Sequence, residues 1–367
     1  MRDLLLTILM FLTTSLWAAE TDVPVEEQEF VSSYLIVVDP SPKISSAAGH
    51  AALRMVCPEY DMDFCFSVLS DVPEEDMNRL FITGKLQAGM IAMPTNQFTE
   101  RYQAEGRGVC QYKLLLPDEV KRELWRALDN DVELGQTIPF DPMGWNCTSR
   151  IQLMLEQAID ADVIEYQDMP KLMGHTFHDV VTDYDCANSW AKLFTMTITG
   201  SDADIILPMH DQIFIPTYMA EALQNATING QPVLSKDAEW LVPSTGKPEP
   251  VFISTSWVLL ILVVLCLLSW RFCMAAWLTL GLCITYLWLG TDLPHMSWTW
   301  LLLLFNPLLP LVFLTRRGSL LRKLVATSMA LVICVGIFWP HTLMAPEYLQ
   351  LASVFALRTI FTPFKKI

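Results

Sequence analysis

The feature that most constrains this chain is a change of character at Val251. From there on, the sequence is dominated by apolar runs close to the ~20 residues that an α-helix needs to cross a lipid bilayer. Four runs are strong and a fifth is weaker: residues 257–270, 272–290, 298–315, 324–340 and 348–361. We therefore predict that residues 257–367 form an all-α transmembrane bundle of four to five helices.

The charged residues between these runs indicate how the spans are oriented, because the basic residues fall in alternate connections. The positive-inside rule places basic connections in the cytoplasm, so five spans would leave the C-terminus inside and the preceding 250 residues outside. The basic connections hold Arg271, then Arg316, Arg317, Arg322 and Lys323, then Lys365 and Lys366, and the others hold Asp292, His295, His341 and Glu347.

Residues 1–19 favour the same orientation. A short charged start, an apolar run and Ala18-Ala19 are typical of a secretory signal peptide. Because Leu16 or Trp17 would occupy the −3 position of the cleavage site, an N-terminal anchor is the alternative. Residues 20–242 are then an extracytoplasmic domain, and a Pro-rich linker over 243–256 joins it to the bundle.

The extracytoplasmic part is strongly acidic. Residues 251–367 hold eight Lys/Arg and two Asp/Glu, so of the chain's net charge of −16 the first 250 residues carry −22. Without a basic patch there, we expect no nucleic-acid partner. There is no Gly-rich phosphate loop, and we expect no metal, because His175 and His178 lack further marked ligands.

Strand and helix patterns alternate in this domain, which predicts an α+β fold. Runs of β-branched and aromatic residues predict strands, and amphipathic runs predict helices. The strands are expected over 30–39, from about His50, over 64–69 and over 109–116, and the helices over 74–85, 96–105 and 117–130.

The sequence Gly-Trp-Asn-Cys-Thr-Ser-Arg at 144–150 is the strongest candidate for chemistry. Asn146 is a good N-cap, and the apolar spacing of Ile151, Leu155 and Ile159 predicts a helix after it. Cys147 then lies in the first turn, where unpaired N–H groups and the helix dipole favour a thiolate. The alternative is an inert buried cysteine.

A catalytic cysteine needs a base, and His50 is the best candidate because it follows Gly49 at the start of a predicted strand. Asp63 is the candidate for orienting His50, with Asp61 behind it, although a turn position is the favoured interpretation of both. The backbone N–H groups around Cys147 are candidates for an oxyanion hole.

Three polar residues are candidates for oxyanion or positioning roles. The Asn146 amide is one, although capping is its favoured role. Arg150, three residues after the cysteine, is expected to contact a phosphate, to position groups or to stabilise the fold. Arg107, between two glycines, is expected to be a positioning residue or an exposed surface residue.

The domain holds an odd number of cysteines, so at least one is unpaired in an oxidising compartment. The five are Cys57, Cys65, Cys110, Cys147 and Cys186. Cys57 and Cys65 flank an acidic turn, where a disulfide would close a hairpin. Cys147 is the expected free thiol.

Several motifs, taken in order, resemble the extracytoplasmic domain of the Lnb-type lipoprotein N-acyltransferases over roughly residues 30–235, and the multi-span tail also fits. The motifs are Gly-His-Ala-Ala-Leu-Arg at 49–54, Tyr102 with Gly-Arg-Gly-Val at 106–109, Asn-Cys-Thr-Ser-Arg at 146–150, Asn-Ser-Trp at 188–190, and Gly-Ser-Asp-Ala-Asp at 200–204 leading to Phe-Ile-Pro at 214–216. Ser149 stands where we expect Thr, and Ala47 and Ala48 where we expect a bulkier residue.

That family is similar to the circularly permuted, papain-like NlpC superfamily, in which the histidine precedes the cysteine. The resemblance implies that Cys147 is the nucleophile and His50 its base. It implies transfer of a fatty acyl chain from a membrane phospholipid to the N-terminal amine of a lipidated lipoprotein, at the periplasmic face of a bacterial inner membrane. This reaction is expected to need no cofactor. The alternatives are a membrane-anchored cysteine peptidase or amidase acting on cell-wall peptides, and a periplasmic binding domain with an inert cysteine.

Overall fold

A computed structural model describes residues 29–43, 46–159, 164–183, 189–245, 253–293, 298–316, 318–338 and 345–361. Several predictions fall outside these residues: the signal peptide or anchor at 1–19, residues 246–252 of the linker, and Cys186, Asn188, His295, Arg317, His341, Lys365 and Lys366.

Seven antiparallel strands form the main sheet in the order β10-β5-β1-β2-β3-β4-β6. They are β1 (Ser32–Val38), β2 (His50–Cys57), β3 (Met62–Leu69), β4 (Gln87–Pro94), β5 (Val109–Lys113), β6 (Thr137–Pro139) and β10 (Glu239–Val242). A second, small sheet joins β7 (Ile164–Glu165), β8 (Thr227–Ile228) and β9 (Gln231–Pro232).

Helices accompany this sheet, so the predicted α+β class is confirmed. They are α1 (Glu74–Ile82), α2 (Thr95–Ala104), α3 (Asp118–Leu134), α4 (Cys147–Ile159), α5 (Phe177–Asp183), α6 (Ser189–Ile198) and α7 (Pro216–Asn225). The C-terminal part contains α8 (Thr255–Leu268), α9 (Trp270–Gly290), α10 (Leu301–Leu304), α11 (Leu320–Phe338) and α12 (Pro346–Phe361).

The sequence did not predict β4. Its residues include Gly89 and Pro94, which are rare in strands, so local propensity argues against the assignment. Pairing decides it, because β3 and β4 are in register along six residue pairs. Gly89 is needed for the neighbouring strand, since a Cβ there would lie 2.9 Å from the Gln136 carbonyl oxygen.

The disulfide considered between Cys57 and Cys65 is not formed, and both are free thiols. The hairpin of β2 and β3 pairs Cys57 with Met62 and Cys65 with Arg54. The two cysteines are therefore offset by three positions, about 10 Å at ~3.3 Å per residue, which exceeds the Cα separation of ~7 Å that a disulfide tolerates.

Two helices in the described part of the chain are long and apolar enough to cross a membrane: α9, with 21 residues, and α11, with 19. The run predicted over 298–315 is not one helix, because α10 ends at Leu304 and a 3-10 helix covers Leu309–Leu314. Pro307 and Pro310 supply no amide N–H, which breaks the hydrogen-bond ladder between the two pieces.

The helices after Val251 pack against the part of the chain that carries the sheet. The Thr83 carbonyl, just after α1, accepts from the Asp292 N–H at 2.9 Å, just after α9. The Ser189 hydroxyl, at the start of α6, accepts from the Thr255 N–H at 3.3 Å. The start of α8 and the end of α9 therefore contact this side of the molecule.

This contact region is near the end of the sheet that carries His50. Strand β4 begins a few residues after Thr83, and antiparallel pairing brings that start to the end of β3 and the start of β2. Strand β6 ends at the same edge, since Pro139 pairs with Gln87, and the chain then leads to Cys147. The candidate nucleophile and base thus belong to one end of the sheet.

Candidate active site

Cys147 is the first residue of α4, as predicted, and Asn146 caps the helix. The Asn146 Oδ1 accepts from the backbone N–H groups of Thr148 at 2.8 Å and Ser149 at 3.0 Å. The Ser149 Oγ accepts in return from the Asn146 N–H at 2.9 Å. Such reciprocal caps fix the entry to a helix, so the position of Cys147 follows from the residues on both sides of it.

The amide nitrogen of Asn146 is occupied as well. It donates to the carbonyl oxygens of Pro142, at 2.9 Å, and Phe214, at 3.3 Å. Asn146 therefore ties the start of α4 to a distant loop. Since its oxygen and its nitrogen are both bound to the protein, the geometry supports capping and positioning rather than an oxyanion role.

The Cys147 thiol is buried, and its Sγ lies against the Ala51 backbone N–H, with the Thr148 Oγ1 at 3.8 Å. Burial raises the pKa of Cys147 above its usual value, and the hydrogen bonds from Ala51 and Thr148 offset only part of that rise. The expected thiolate is therefore not the resting form, because burial outweighs the effect of the helix N-terminus.

His50 precedes Ala51, so it lies next to the residue that contacts the thiol. Its Nε2 is hydrogen-bonded to the Ser67 hydroxyl, and its ring centroid is 6.0 Å from that of Tyr102. Burial, followed by the charges of Arg107 and Arg101, lowers the pKa of His50 to about 3. At neutral pH the imidazole is therefore uncharged, which is the form that accepts a proton.

Asp63 is not brought to His50. It pairs with Val56, six positions along β2 from His50, which is about 20 Å at ~3.3 Å per residue. Its carboxylate binds Arg54 through two hydrogen bonds, at 2.7 and 2.8 Å, and also Thr95. Partial burial raises its pKa, but these hydrogen bonds outweigh that effect and hold it below the usual value.

Ser67 is the polar partner that His50 has, and sequence reasoning missed it. The register of β2 and β3 pairs Leu53 with Phe66 and so places Ser67 opposite Ala52, diagonally across from His50. That register depends on the turn between β2 and β3. A search of the sequence for a carboxylate therefore does not reveal Ser67 as the partner of His50.

The two candidate arginines lie in different places. Arg150 forms hydrogen bonds of 2.8 and 3.2 Å with Asp131 of α3 and lies over the Trp145 ring, so it anchors the start of α4. Arg107 is on the side of His50. It donates to the Asp39 carbonyl at 2.7 Å, and its guanidinium is 4.8 Å from the centre of the Tyr102 ring.

Tyr102 is a site residue for which we predicted no role. It is buried, with the Phe98 ring edge-on at 4.8 Å and the His50 ring on another side. Burial raises its pKa, and the nearby Cys147 contributes to the same rise, so the hydroxyl keeps its proton. Cys147, His50, Tyr102 and Arg107 thus form one buried cluster.

Residues 28–164 match the family model described as the Lnb N-terminal periplasmic domain. This segment is similar to Lnb domains. Over these residues the match confirms the resemblance stated from the sequence, and it includes His50, Tyr102, Arg107 and Cys147. Comparisons with curated proteins and with solved structures found no significant match. The family model does not extend beyond residue 164, so the helices after Val251 are known from the structure alone.

The other end of helix α4 is held by an ion pair. The Glu156 Oε1 binds the His210 Nε2 at 2.7 Å and the Tyr166 hydroxyl at 2.8 Å. The hydrogen bond with Glu156, against some burial, raises the pKa of His210 to about 9. Burial raises the pKa of Glu156, but its hydrogen bonds, first the one with His210, bring it below the usual value.

This pair predicts a loss of stability in mild alkali. Because folding raises the pKa of His210, its contribution is complete below the unfolded value of ~6.5 and is lost as the pH rises through about 9. We expect the Tm of the full chain in detergent to fall between pH 6.5 and 9, and to fall less in His210→Gln. Equal falls in the two proteins would contradict the assignment.

Proposed function

We propose that this chain is a membrane-bound thiol acyltransferase. It moves a fatty acyl chain from a phospholipid, through a thioester on Cys147, to the N-terminal amine of a lipidated lipoprotein. The observation that carries the proposal is a thiol at a capped helix start, held against the Ala51 N–H beside an uncharged His50, within an Lnb domain.

In the first half-reaction the thiol attacks the ester carbonyl of the donor lipid. His50 takes the thiol proton as the C–S bond forms, and the carbonyl electron pair moves onto oxygen. The backbone N–H groups of Ala51 and Cys147 point at Sγ, beside which this oxyanion forms. The ester C–O bond then breaks, and the lyso-lipid leaves with the proton from His50.

In the second half-reaction the lipoprotein amine attacks the thioester. His50 accepts a proton from the amine, the C–N bond forms, and the C–S bond breaks to restore the thiol with that proton. The balance needs no cofactor. Burial of Cys147 favours transfer to an amine over hydrolysis, because bulk water has little access to the thioester.

We propose that the fold is of the circularly permuted papain/NlpC type. His50 lies on a strand that precedes the cysteine helix in sequence, and α4 packs on the same sheet. This arrangement supports the proposal, because the reacting pair then comes from a strand and a helix in the order that the permuted superfamily has.

We further propose that the chain lies in a bacterial inner membrane, with the Lnb domain on the periplasmic side and the C-terminus in the cytoplasm. The ends of α8 and α9 that contact the Lnb-bearing part are those predicted to be outside. Arg271 lies at the opposite end of α9, where the positive-inside rule expects it.

This placement favours a lipid substrate over a cell-wall peptide. Helix α6 begins with Ser189 at the start of α8 and ends with Ile198 packed against Leu293, after α9. Helix α6 therefore contacts both the start of α8 and the residues that follow α9, which are the two helix ends predicted to be outside. A site held there meets two lipid-anchored substrates in the plane of the membrane, which raises their effective concentration.

The test of this function is acylation of a reporter lipoprotein in cells that lack other N-acyltransferases. We expect expression of the chain to add a third acyl chain to the reporter, measured by mass spectrometry of its N-terminal peptide. A diacylated reporter together with cleavage of cell-wall peptides would favour the peptidase or amidase instead.

A further inference from the structure

One hydrogen-bond donor in the buried cluster has no partner in the described part of the chain. The Arg107 Nη2 is buried and makes no hydrogen bond there. Buried polar groups are nearly always hydrogen-bonded, so this unpaired donor indicates an absent acceptor. Tyr102, whose ring lies under the guanidinium, has a second donor nearby, because burial keeps its hydroxyl protonated.

The position of the Arg107 Nη2 is fixed by the rest of its side chain. The Nε donates to the Asp39 carbonyl at 2.7 Å, and the Nη1 donates to Glu105 at 3.1 Å. The guanidinium lies over the Tyr102 ring. With its other nitrogens held, the group keeps one donor in place for a ligand and presents the planar geometry that suits phosphate oxygens.

The arginines gathered at this place also suit an anion. The first 250 residues carry a net −22, yet Arg101 and Arg107 both lie close to Tyr102, at 5.9 and 4.8 Å from its ring centre. Glu105 pairs with Arg107, and the Asp39 carboxylate accepts from the Gly108 N–H beside it. The two guanidinium groups therefore offset the negative charge that prevails in the rest of the domain.

We propose that the Arg107 Nη2 and the Tyr102 hydroxyl form an anion site that binds the phosphodiester of the donor lipid while its ester lies at Cys147. The inference rests on the proposed acyl transfer and extends it to recognition of the head group. In a glycerophospholipid the phosphate and the ester carbonyls share one glycerol. Arg107 contacts the Tyr102 ring, and Cys147 is near the same side chain. The phosphate and the ester of one lipid can therefore be bound at the same time, at Arg107 and at Cys147.

The test compares a charged with a neutral acyl donor, using the purified full chain in detergent and a diacylated lipopeptide as acceptor. The donors are phosphatidylglycerol and diacylglycerol with the same chains. Tyr102→Phe removes only the hydroxyl, and we expect it to raise the KM for phosphatidylglycerol about tenfold and to leave diacylglycerol turnover nearly unchanged. Arg107→Gln should raise that KM further, and Arg107→Lys should restore part of it.

The matched control is Tyr34→Phe, because Tyr34 also lies under an arginine, with Arg54 at 5.4 Å, at the other end of the sheet. It should leave both donors unaffected. Equal losses with both donors in Tyr102→Phe would overturn the anion site, because the hydroxyl would then act on the acyl group that both share.

A second measurement does not depend on acyl transfer. Glycerophosphoglycerol should slow alkylation of Cys147 by iodoacetamide in the wild-type chain and protect less in Tyr102→Phe. Absence of protection would overturn the anion site even where acyl transfer is observed. Protection without acyl transfer would retain the site and contradict the proposed function.

Discussion

Cells that carry Cys147→Ser in place of the wild-type chain will make only diacylated reporter lipoprotein. The thiol is the group whose sulfur forms and releases the thioester, and a serine hydroxyl at the same buried position is far harder to deprotonate. We expect a loss of about 10⁴-fold or more, as for other nucleophile replacements. Mass spectrometry of the reporter's N-terminal peptide measures it, with the amount of enzyme followed by immunoblot.

A buried cysteine of the same domain provides the control. Cys110 lies on β5, and its thiol donates to the Val37 carbonyl at 3.5 Å. Burial raises its pKa as it does that of Cys147. Cys110→Ser should therefore retain acylation. A third acyl chain on the reporter in cells with Cys147→Ser would exclude Cys147 as the nucleophile.

Replacement of His50 by alanine should have the second largest effect. Because the pKa of Cys147 is raised, the thiol does not ionise by itself at neutral pH, and the reaction depends on a base. Loss of a general base typically costs about 10²–10⁴-fold in rate. The measurement is kcat/KM for acylation of a lipopeptide by the purified full chain in detergent.

The pH profile of the first half-reaction tests the charge state of His50 without the titration of the acceptor amine, whose ordinary pKa is ~7.7–8.0. The uncharged imidazole is present above its pKa of about 3, so the rate at which phospholipid acylates Cys147 in the wild-type chain should show no histidine-like fall between pH 7 and 5. His210→Gln is the control, because His210 is half exposed and binds Glu156 at the far end of α4. Wild-type rates in His50→Ala would contradict the proposed mechanism.

The positions of Cys147 and His50 within their helix and strand were predictable from local sequence patterns. The helix start at Cys147 follows from a capping residue and an apolar repeat, and the strand at His50 follows from its composition. Both signals act within a few residues along the chain. The structure has α4 beginning at Cys147 and β2 beginning at His50.

The partners of these residues depend on tertiary structure, and there the sequence was insufficient. Asp63 has the carboxylate that could orient a histidine, but it pairs with Val56 and is bound by Arg54. Ser67 is hydrogen-bonded to His50 instead, because the register of β2 and β3 brings the two side chains together. The thiolate expected at the helix start is likewise opposed by burial, which arises only when α4 packs on the sheet.

In the C-terminal part, apolar composition predicted where helices occur but not their continuity. The run over 298–315 is interrupted after Leu304, and Gly281 of α9 accommodates the break. A Cβ at Gly281 would lie 2.1 Å from the Phe305 carbonyl oxygen. Pro307 and Pro310 were the local signal for this break. The mean hydropathy of the run does not reveal it, because hydropathy does not depend on whether a residue has a backbone N–H.

The most direct test is the mass of the peptide that contains Cys147 after the full chain is incubated with phospholipid and no acceptor. The account predicts one added fatty acyl group on that peptide, removed by neutral hydroxylamine and by a diacylated lipopeptide. If the lipopeptide becomes acylated while Cys147 never carries an acyl group, the thioester account is wrong.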